Sequence, residues 1–83
     1  MPTVFNYKGI KFHFFANEGN PREPLHIHAE RRDAEARFWL RPDVSLAKSL
    51  GFIAHGLTEL RRIIEGRRTQ IEGAWHEFFR EGY

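Results

Sequence analysis

Alternating apolar and polar residues in the first half of the chain predict β-strands. The segments Thr3 to Tyr7 and Ile10 to Phe15 have a period of two and flank a turn at Lys8-Gly9, which predicts a β-hairpin. The two faces of its second strand are Ile10, Phe12 and Phe14 on one side and Lys11, His13 and Phe15 on the other.

A second hairpin is predicted from Leu25 to Glu30 and from Glu35 to Leu40, with its turn at Arg32-Asp33. This register aligns apolar residues on one face and polar residues on the other, whereas a slip of one residue would bury the polar set. The expected apolar pairs are Ala29 with Ala36, Ile27 with Phe38 and Leu25 with Leu40, and the polar pairs are His28 with Arg37 and His26 with Trp39. Glu30 opposite Glu35 is a like-charge pair that Arg32 or Arg37 is expected to relieve.

Between and after the hairpins the pattern changes. Gly, Pro and Asn predict a loop from Asn17 to Pro24, and the segment from Val44 to Leu50 fits either a short strand or a helical turn. From Ala54 the period becomes 3.6, Gly66 interrupts it, and a second apolar stripe runs from Ile71 to Phe79. We therefore predict an α+β fold: an antiparallel sheet of two hairpins, with four or more strands, and two C-terminal helices packed on one face.

Length and composition narrow the class of protein. With 83 residues, the chain is expected to form one domain, residues 1–83, with a small core that a partner or a second copy would stabilise. The sequence has no Cys, no apolar run long enough to span a bilayer and no signal-peptide pattern at its start, so we expect a soluble cytoplasmic protein. The net charge of +2 is not concentrated in any block, which argues against strong non-specific nucleic-acid binding and leaves room for a small anion or RNA site.

The sharpest local motif is His-x-His followed by Glu30. In a strand, His26, His28 and Glu30 point the same way. Three interpretations stay open: a polar sheet face with half-exposed histidines beside Trp39, a binding or catalytic surface, and a divalent metal site if a turn or a third strand closes the spacing. We assign no metal and no cofactor.

Arginines are expected to gather around this motif. Arg with His suits a phosphate, because the guanidinium binds it bidentately and His can move a proton, and Trp39 is suited to stack on a base. The alternative is that Arg37 pairs with Glu30 or Glu35, and Arg22 with Glu23. The candidate site residues are His26, His28 and Arg37 for catalysis, and Arg22, Trp39 and Arg41 for substrate binding. His13, His55 and His76 are assigned no role.

Four segments resemble the bacterial domain-of-unknown-function family four-one-six-zero (DUF4160). These are the start MPTVFNYKGIKFHFF, the block NEGNPREPLHIHAE, the stretch EARFWL and the spaced tail SLGF…EL…I…W…F. The signature positions that carry over are Arg22, Glu23, Pro24, His26, His28 and Glu30. The chain departs from the family pattern at Ala29, where the family often has Val, and at Ile53, where it often has a helix-capping Ser.

The resemblance implies a role. Some members of the family are regarded as DhiT-like toxins of type II toxin–antitoxin pairs. We therefore expect a toxin that acts on RNA or the translation machinery, neutralised by a small antitoxin-like protein from an adjacent gene. Whether it is an enzyme, for example a metal-independent ribonuclease, stays open. The alternative function is a non-enzymatic module, a partner or regulator, that binds a protein or nucleic acid through the same face. Whether the chain forms a homodimer stays open.

Overall fold

The computed structural model describes residues 3–15 and 24–79, which form one antiparallel sheet followed by two helices. The elements are β1 (Thr3–Tyr7), β2 (Ile10–His13), β3 (His26–Arg31), β4 (Ala34–Trp39), β5 (Ser45–Leu50), α1 (Ala54–Gly66) and α2 (Arg68–Phe79). The five strands lie in chain order, β1-β2-β3-β4-β5, and every neighbouring pair is antiparallel. The predicted α+β class is therefore confirmed, with five strands.

Both predicted turns have the backbone that tight hairpins need. Lys8 and Gly9 have positive φ angles of 51° and 78°, which is the pattern of a two-residue loop that matches strand twist. Arg32 also has a positive φ, 45°, where β3 turns into β4. The register of the second hairpin is the predicted one, including Ile27 opposite Phe38 and His28 opposite Arg37.

The segment that the sequence left undecided, Val44 to Leu50, contains a strand. β5 pairs with β4 and forms one edge of the sheet, with an irregularity between Arg37 and Phe38. Most of its side chains are exposed, including Leu46 and Leu50. A strand with so little burial carries a weak period-two signal, because neither of its faces is fully covered.

The helices cover one face of the sheet. The core joins apolar residues from that face with residues of both helices, and its members include Phe12, Ile27, Phe38, Leu60, Ile64, Ile71, Trp75 and Phe79. Helix α1 begins after Ile53 without a side-chain cap, so the missing Ser does not prevent the helix from starting at Ala54. Neither helix within the described ranges is long and apolar enough to cross a bilayer.

Candidate functional site

A row of polar residues crosses the sheet on the face opposite the helices. The strand register pairs these residues in succession, one from each strand, and the row is Thr3, His13, His28, Arg37 and Lys48. We call these five residues the cross-strand row. It brings the predicted site residues His28 and Arg37 side by side, because the hairpin register places them opposite each other.

His13 is a member of the row that sequence reasoning missed. Its ring stacks on that of His28, with ring centroids 5.5 Å apart and planes 21° apart, and its side chain is buried. Its Nε2 lies 3.2 Å from Oε1 of Glu30, although the contact is not aligned as a hydrogen bond. Among the described residues, the basic side chain within ion-pair distance of Glu30 is therefore His13, and not Arg32 or Arg37 as expected. The sequence did place His13 on the same strand face as Lys11 and Phe15. It was not selected because the pairing of β2 with β3, which puts it opposite His28, was not predicted.

His26 lies in a different environment from the one expected. Its side chain is 0% exposed, so the prediction that both histidines of the motif lie on an exposed face is wrong for this one. Its Nδ1 lies 2.7 Å from the carbonyl oxygen of Pro24, and because that oxygen only accepts, Nδ1 carries the proton. The ring also contacts those of Trp39 and Trp75, at centroid distances of 5.5 Å and 5.3 Å. Trp75 comes from α2, so this histidine packs where the helix reaches the end of the sheet.

Arg37 and Trp39 are adjacent, as predicted for one patch. The Arg37 guanidinium lies over the Trp39 ring, 5.3 Å from its centroid, and both side chains are half-buried. Arg37 Nε is buried and has no hydrogen-bond partner. Within residues 3–15 and 24–79, no carboxylate forms an ion pair with Arg37, so the alternative that Glu30 or Glu35 neutralises it does not apply there.

Arg41, another predicted binding residue, pairs with a carboxylate of α2. Arg41 donates a hydrogen bond from Nη2 to Oε1 of Glu72 in α2, at 3.2 Å. Arg68 contacts the same carboxylate through Nε, also at 3.2 Å. The hydrogen bond from Arg41, followed by that from Arg68, holds the pKa of Glu72 below its usual value. Arg22 lies outside the described residues.

An open pocket of about 130 Å³ lies beside the cross-strand row. Its lining residues are Phe15, His28, Glu35, Ala36, Arg37 and Lys48. The rings of Phe15 and His28 meet edge-on, with centroids 4.5 Å apart and planes 75° apart, and they form an aromatic corner. Lys48 and Glu35, which sequence reasoning did not select, add a cation and a carboxylate. Lys48 was missed because the strand that carries it was undecided.

Within the described ranges, no group of three His, Asp or Glu side chains has the geometry to hold a metal ion. The arrangement instead offers two adjacent cations, an aromatic corner and a half-buried histidine. Such a site can bind an anionic group, pack against a ring and, at His28, accept or donate a proton.

Comparison with known proteins places the chain in a family. A family model described as Domain of unknown function (DUF4160) matches residues 9–76, which is most of the chain. The chain belongs to this family. The searches of curated proteins and of solved structures found no match. The matched residues include those that line the pocket.

Proposed function

We propose that this DUF4160 domain is the toxin of a type II toxin–antitoxin pair and acts on RNA or the translation machinery through the cross-strand row and its pocket. A small antitoxin-like protein from an adjacent gene would neutralise it. The pairing of toxin and antitoxin rests on the resemblance to the DhiT-like toxins. The choice of RNA as the target rests on the chemistry of the pocket.

The observation that carries the proposal is the pair of cations in the middle of the row. Arg37 and Lys48 are direct cross-strand neighbours, and no carboxylate among the described residues forms an ion pair with either one. Like charges placed opposite each other in a sheet are destabilising, so the pair lowers stability when no anion is present. A phosphate would relieve this repulsion, and Arg is well suited to bind it through two parallel hydrogen bonds.

RNA supplies the other groups that the pocket can bind. A base has a flat face that can pack against Phe15 in the pocket or against Trp39 beside Arg37, and stacking of this kind is typical of single-stranded nucleic-acid binding. His28 lines the same pocket and is half-buried, so it can reach a bound phosphodiester. In metal-free cleavage, His28 would take the proton from the ribose 2′-hydroxyl or give one to the leaving 5′-oxygen, and Arg37 would stabilise the charge on phosphorus.

One observation favours the alternative of binding without cleavage. His13 and His26 are both buried, which leaves His28 as the partly exposed histidine of this face among the described residues. Cleavage needs both an acid and a base, and two accessible histidines would have supplied them. A binding module needs only the cations and the aromatic groups.

Growth after induced expression tests the proposal directly. We expect the wild-type chain to arrest growth and Arg37→Ala and Lys48→Ala to relieve the arrest without loss of folded protein. The matched control is Arg62→Ala, which removes an exposed arginine from α1, far in sequence from the row. Arrest that persists in both row variants, at equal protein levels, would contradict the proposal.

Two assays with purified protein separate the two functions. Fluorescence anisotropy of a labelled single-stranded RNA should show salt-dependent binding, and each removed cation should lower the salt slope by about 0.7. Incubation of the same RNA with the wild type, followed by gel analysis, should show cleavage. His28→Ala should abolish this cleavage, whereas the control His76→Ala, which changes an exposed histidine, should cleave as the wild type does. Binding with no cleavage by the wild type would select the non-enzymatic module.

A further inference from the structure

Strand β5 is an open edge of the sheet. It pairs with β4 on one side, and no strand among the described residues pairs with its other side. Five of its six residues are exposed and the sixth is half-buried, so no described element covers the strand. The backbone N–H and C=O groups along this free side can therefore form hydrogen bonds with a strand from another molecule.

The opposite edge, β1, is less open. Its Phe5 is buried, and the guanidinium of Arg67, between the two helices, lies 4.4 Å from the centroid of the Phe5 ring. An ion pair between Lys8 and Glu59 joins the β1–β2 turn to α1. Because the helical layer covers part of β1, a further strand is added more readily at β5.

The two faces of the β5 edge differ in chemistry. Lys48 lies in the cross-strand row, opposite Arg37. Leu46 lies on the helix face, where it borders an open groove together with Leu57 and Arg61 of α1. None of the three cations forms an ion pair with a carboxylate of the described residues, and β5 itself contains no acidic residue. An added strand would thus meet unneutralised cations on both faces and an apolar surface on the helix face.

These charges favour one class of occupant. A side chain directly opposite Lys48 in an added strand would have its Cβ about 5 Å away, where an opposite charge is stabilising and a like charge is destabilising. A second copy of this chain, paired through its own β5, would bring another Lys48 and Arg37 to the same face. A strand with carboxylates on the row face would instead relieve the repulsion between Arg37 and Lys48, and apolar side chains on its other face would cover Leu46.

We infer that β5 binds an extended, acidic segment of the antitoxin-like partner as a sixth strand, with a carboxylate against Lys48. This inference rests on the proposed function, because it names how that partner neutralises the RNA site. Lys48 cannot bind a carboxylate and an RNA phosphate at the same time, so the partner strand and RNA compete. Backbone hydrogen bonds provide the affinity, and the alternation of acidic and apolar side chains provides the specificity.

Short blocked peptides serve as probes of this edge. One peptide alternates valine with glutamate, and its matched control alternates valine with lysine. Amide chemical shifts and amide hydrogen exchange of the labelled protein locate the binding. We expect the glutamate peptide to shift and protect amides of β5, and the lysine peptide to bind about tenfold more weakly, because the charge pair with Lys48 changes from favourable to unfavourable.

A further control separates strand addition from simple charge attraction. The glutamate peptide with methyl groups on alternate backbone nitrogens keeps its charges and loses the N–H donors of one edge. With the other edge methylated instead, the donors that face β5 are lost in one of the two peptides. We expect that one to bind weakly and to leave the β5 amides unprotected.

Reversal of the charge of Lys48 isolates the ion pair. Lys48 is exposed, so Lys48→Glu should remain folded by circular dichroism and should prefer the lysine peptide. Arg62→Glu, which reverses an exposed cation of α1, should keep the preference for the glutamate peptide. In the anisotropy assay, the glutamate peptide should displace labelled RNA from the wild type as its concentration rises.

The outcomes separate this inference from the function it rests on. It would be overturned by equal binding of the glutamate and lysine peptides, by unprotected β5 amides, by RNA binding that saturating glutamate peptide leaves unchanged, or by a wild-type dimer whose β5 amides are already protected. If RNA binding and growth arrest then still depend on Arg37 and Lys48, the proposed function stands without this docking edge. If the glutamate peptide adds to β5 with the expected preference but the chain binds no RNA, the proposed function fails and strand addition at β5 stands.

Discussion

The buried histidine of the His-x-His motif gives the sharpest test of the structure. We predict that His26→Ala strongly destabilises the fold, whereas His28→Ala, two residues along the same strand, does not. Both side chains are imidazoles, and because they are two residues apart in β3 they lie on the same face of the sheet. They differ in burial, because His26 is fully buried and His28 is half-buried.

The expected cost follows from the contacts of the His26 ring. Its removal leaves a cavity between Trp39 and Trp75, and comparable losses of a buried ring cost about 3 kcal/mol. It also removes the hydrogen bond to the Pro24 carbonyl, worth about 1 kcal/mol. The sum, about 4 kcal/mol, is as large as the lower limit of the stability expected for a chain of this length. The cost of His28→Ala should stay near 1 kcal/mol.

Urea unfolding monitored by far-ultraviolet circular dichroism measures the difference. With a slope of about 1 to 1.5 kcal/mol per molar, the midpoint of His26→Ala should fall by roughly 3 M, or the variant should be unfolded in buffer. His26→Phe keeps the ring and loses the hydrogen bond, so we expect an intermediate loss of about 1 to 2 kcal/mol. His76→Ala, exposed on α2, is the control and should change the midpoint little.

A midpoint of His26→Ala equal to that of His28→Ala would refute this account of the motif. The result also decides how toxicity data are interpreted. If His26→Ala loses both its fold and its toxicity, the loss says nothing about catalysis. His28→Ala, which should remain folded, is then the informative variant for activity.

Three further predictions concern other parts of the fold. Arg41 and Arg68 lower the pKa of Glu72, so this carboxylate stabilises the fold above its ordinary pKa of 4.5, and the stabilisation is lost as the pH falls below that value. In urea unfolding, Glu72→Gln should therefore reduce the difference in stability between pH 7 and pH 3 by less than about 1 kcal/mol. Gly51→Ala should lower the thermal midpoint, since Gly51 has a φ of 92° and an added Cβ would lie 2.8 Å from the Asp33 carbonyl oxygen. Gly73→Ala should instead raise stability by about 0.5 to 1 kcal/mol, because an added Cβ at this position in α2 meets open space. Equal effects of the two substitutions would contradict this account. The chain should associate with itself or with a partner through β5, which is an edge strand and exposes Leu50. Leu50→Lys should therefore reduce the mass measured by light scattering after size exclusion. A wild-type monomer that gains no thermal stability from the product of an adjacent gene would argue against this association.

The hairpins and helices could be predicted from the sequence because their signals are local. A period of two, interrupted by a tight turn, determines which residues of β3 and β4 face each other, and the structure has that register through Ile27 and Phe38. The two helices were predicted in the same way, from apolar residues three and four positions apart with Gly66 between them. The resemblance to DUF4160 was likewise evident from short motifs, and the family match confirms it.

Tertiary structure decided the composition of the site. Alternation tells which face of a strand a residue lies on, but it does not tell whether another element covers the end of that face. Trp75, distant in the chain, buries His26, and Glu72 from the same helix binds Arg41. The pairing of β2 with β3 and of β4 with β5 brings His13 and Lys48 into the row. These contacts join segments whose separate patterns are each compatible with several arrangements, so only the packing of the whole domain selects among them.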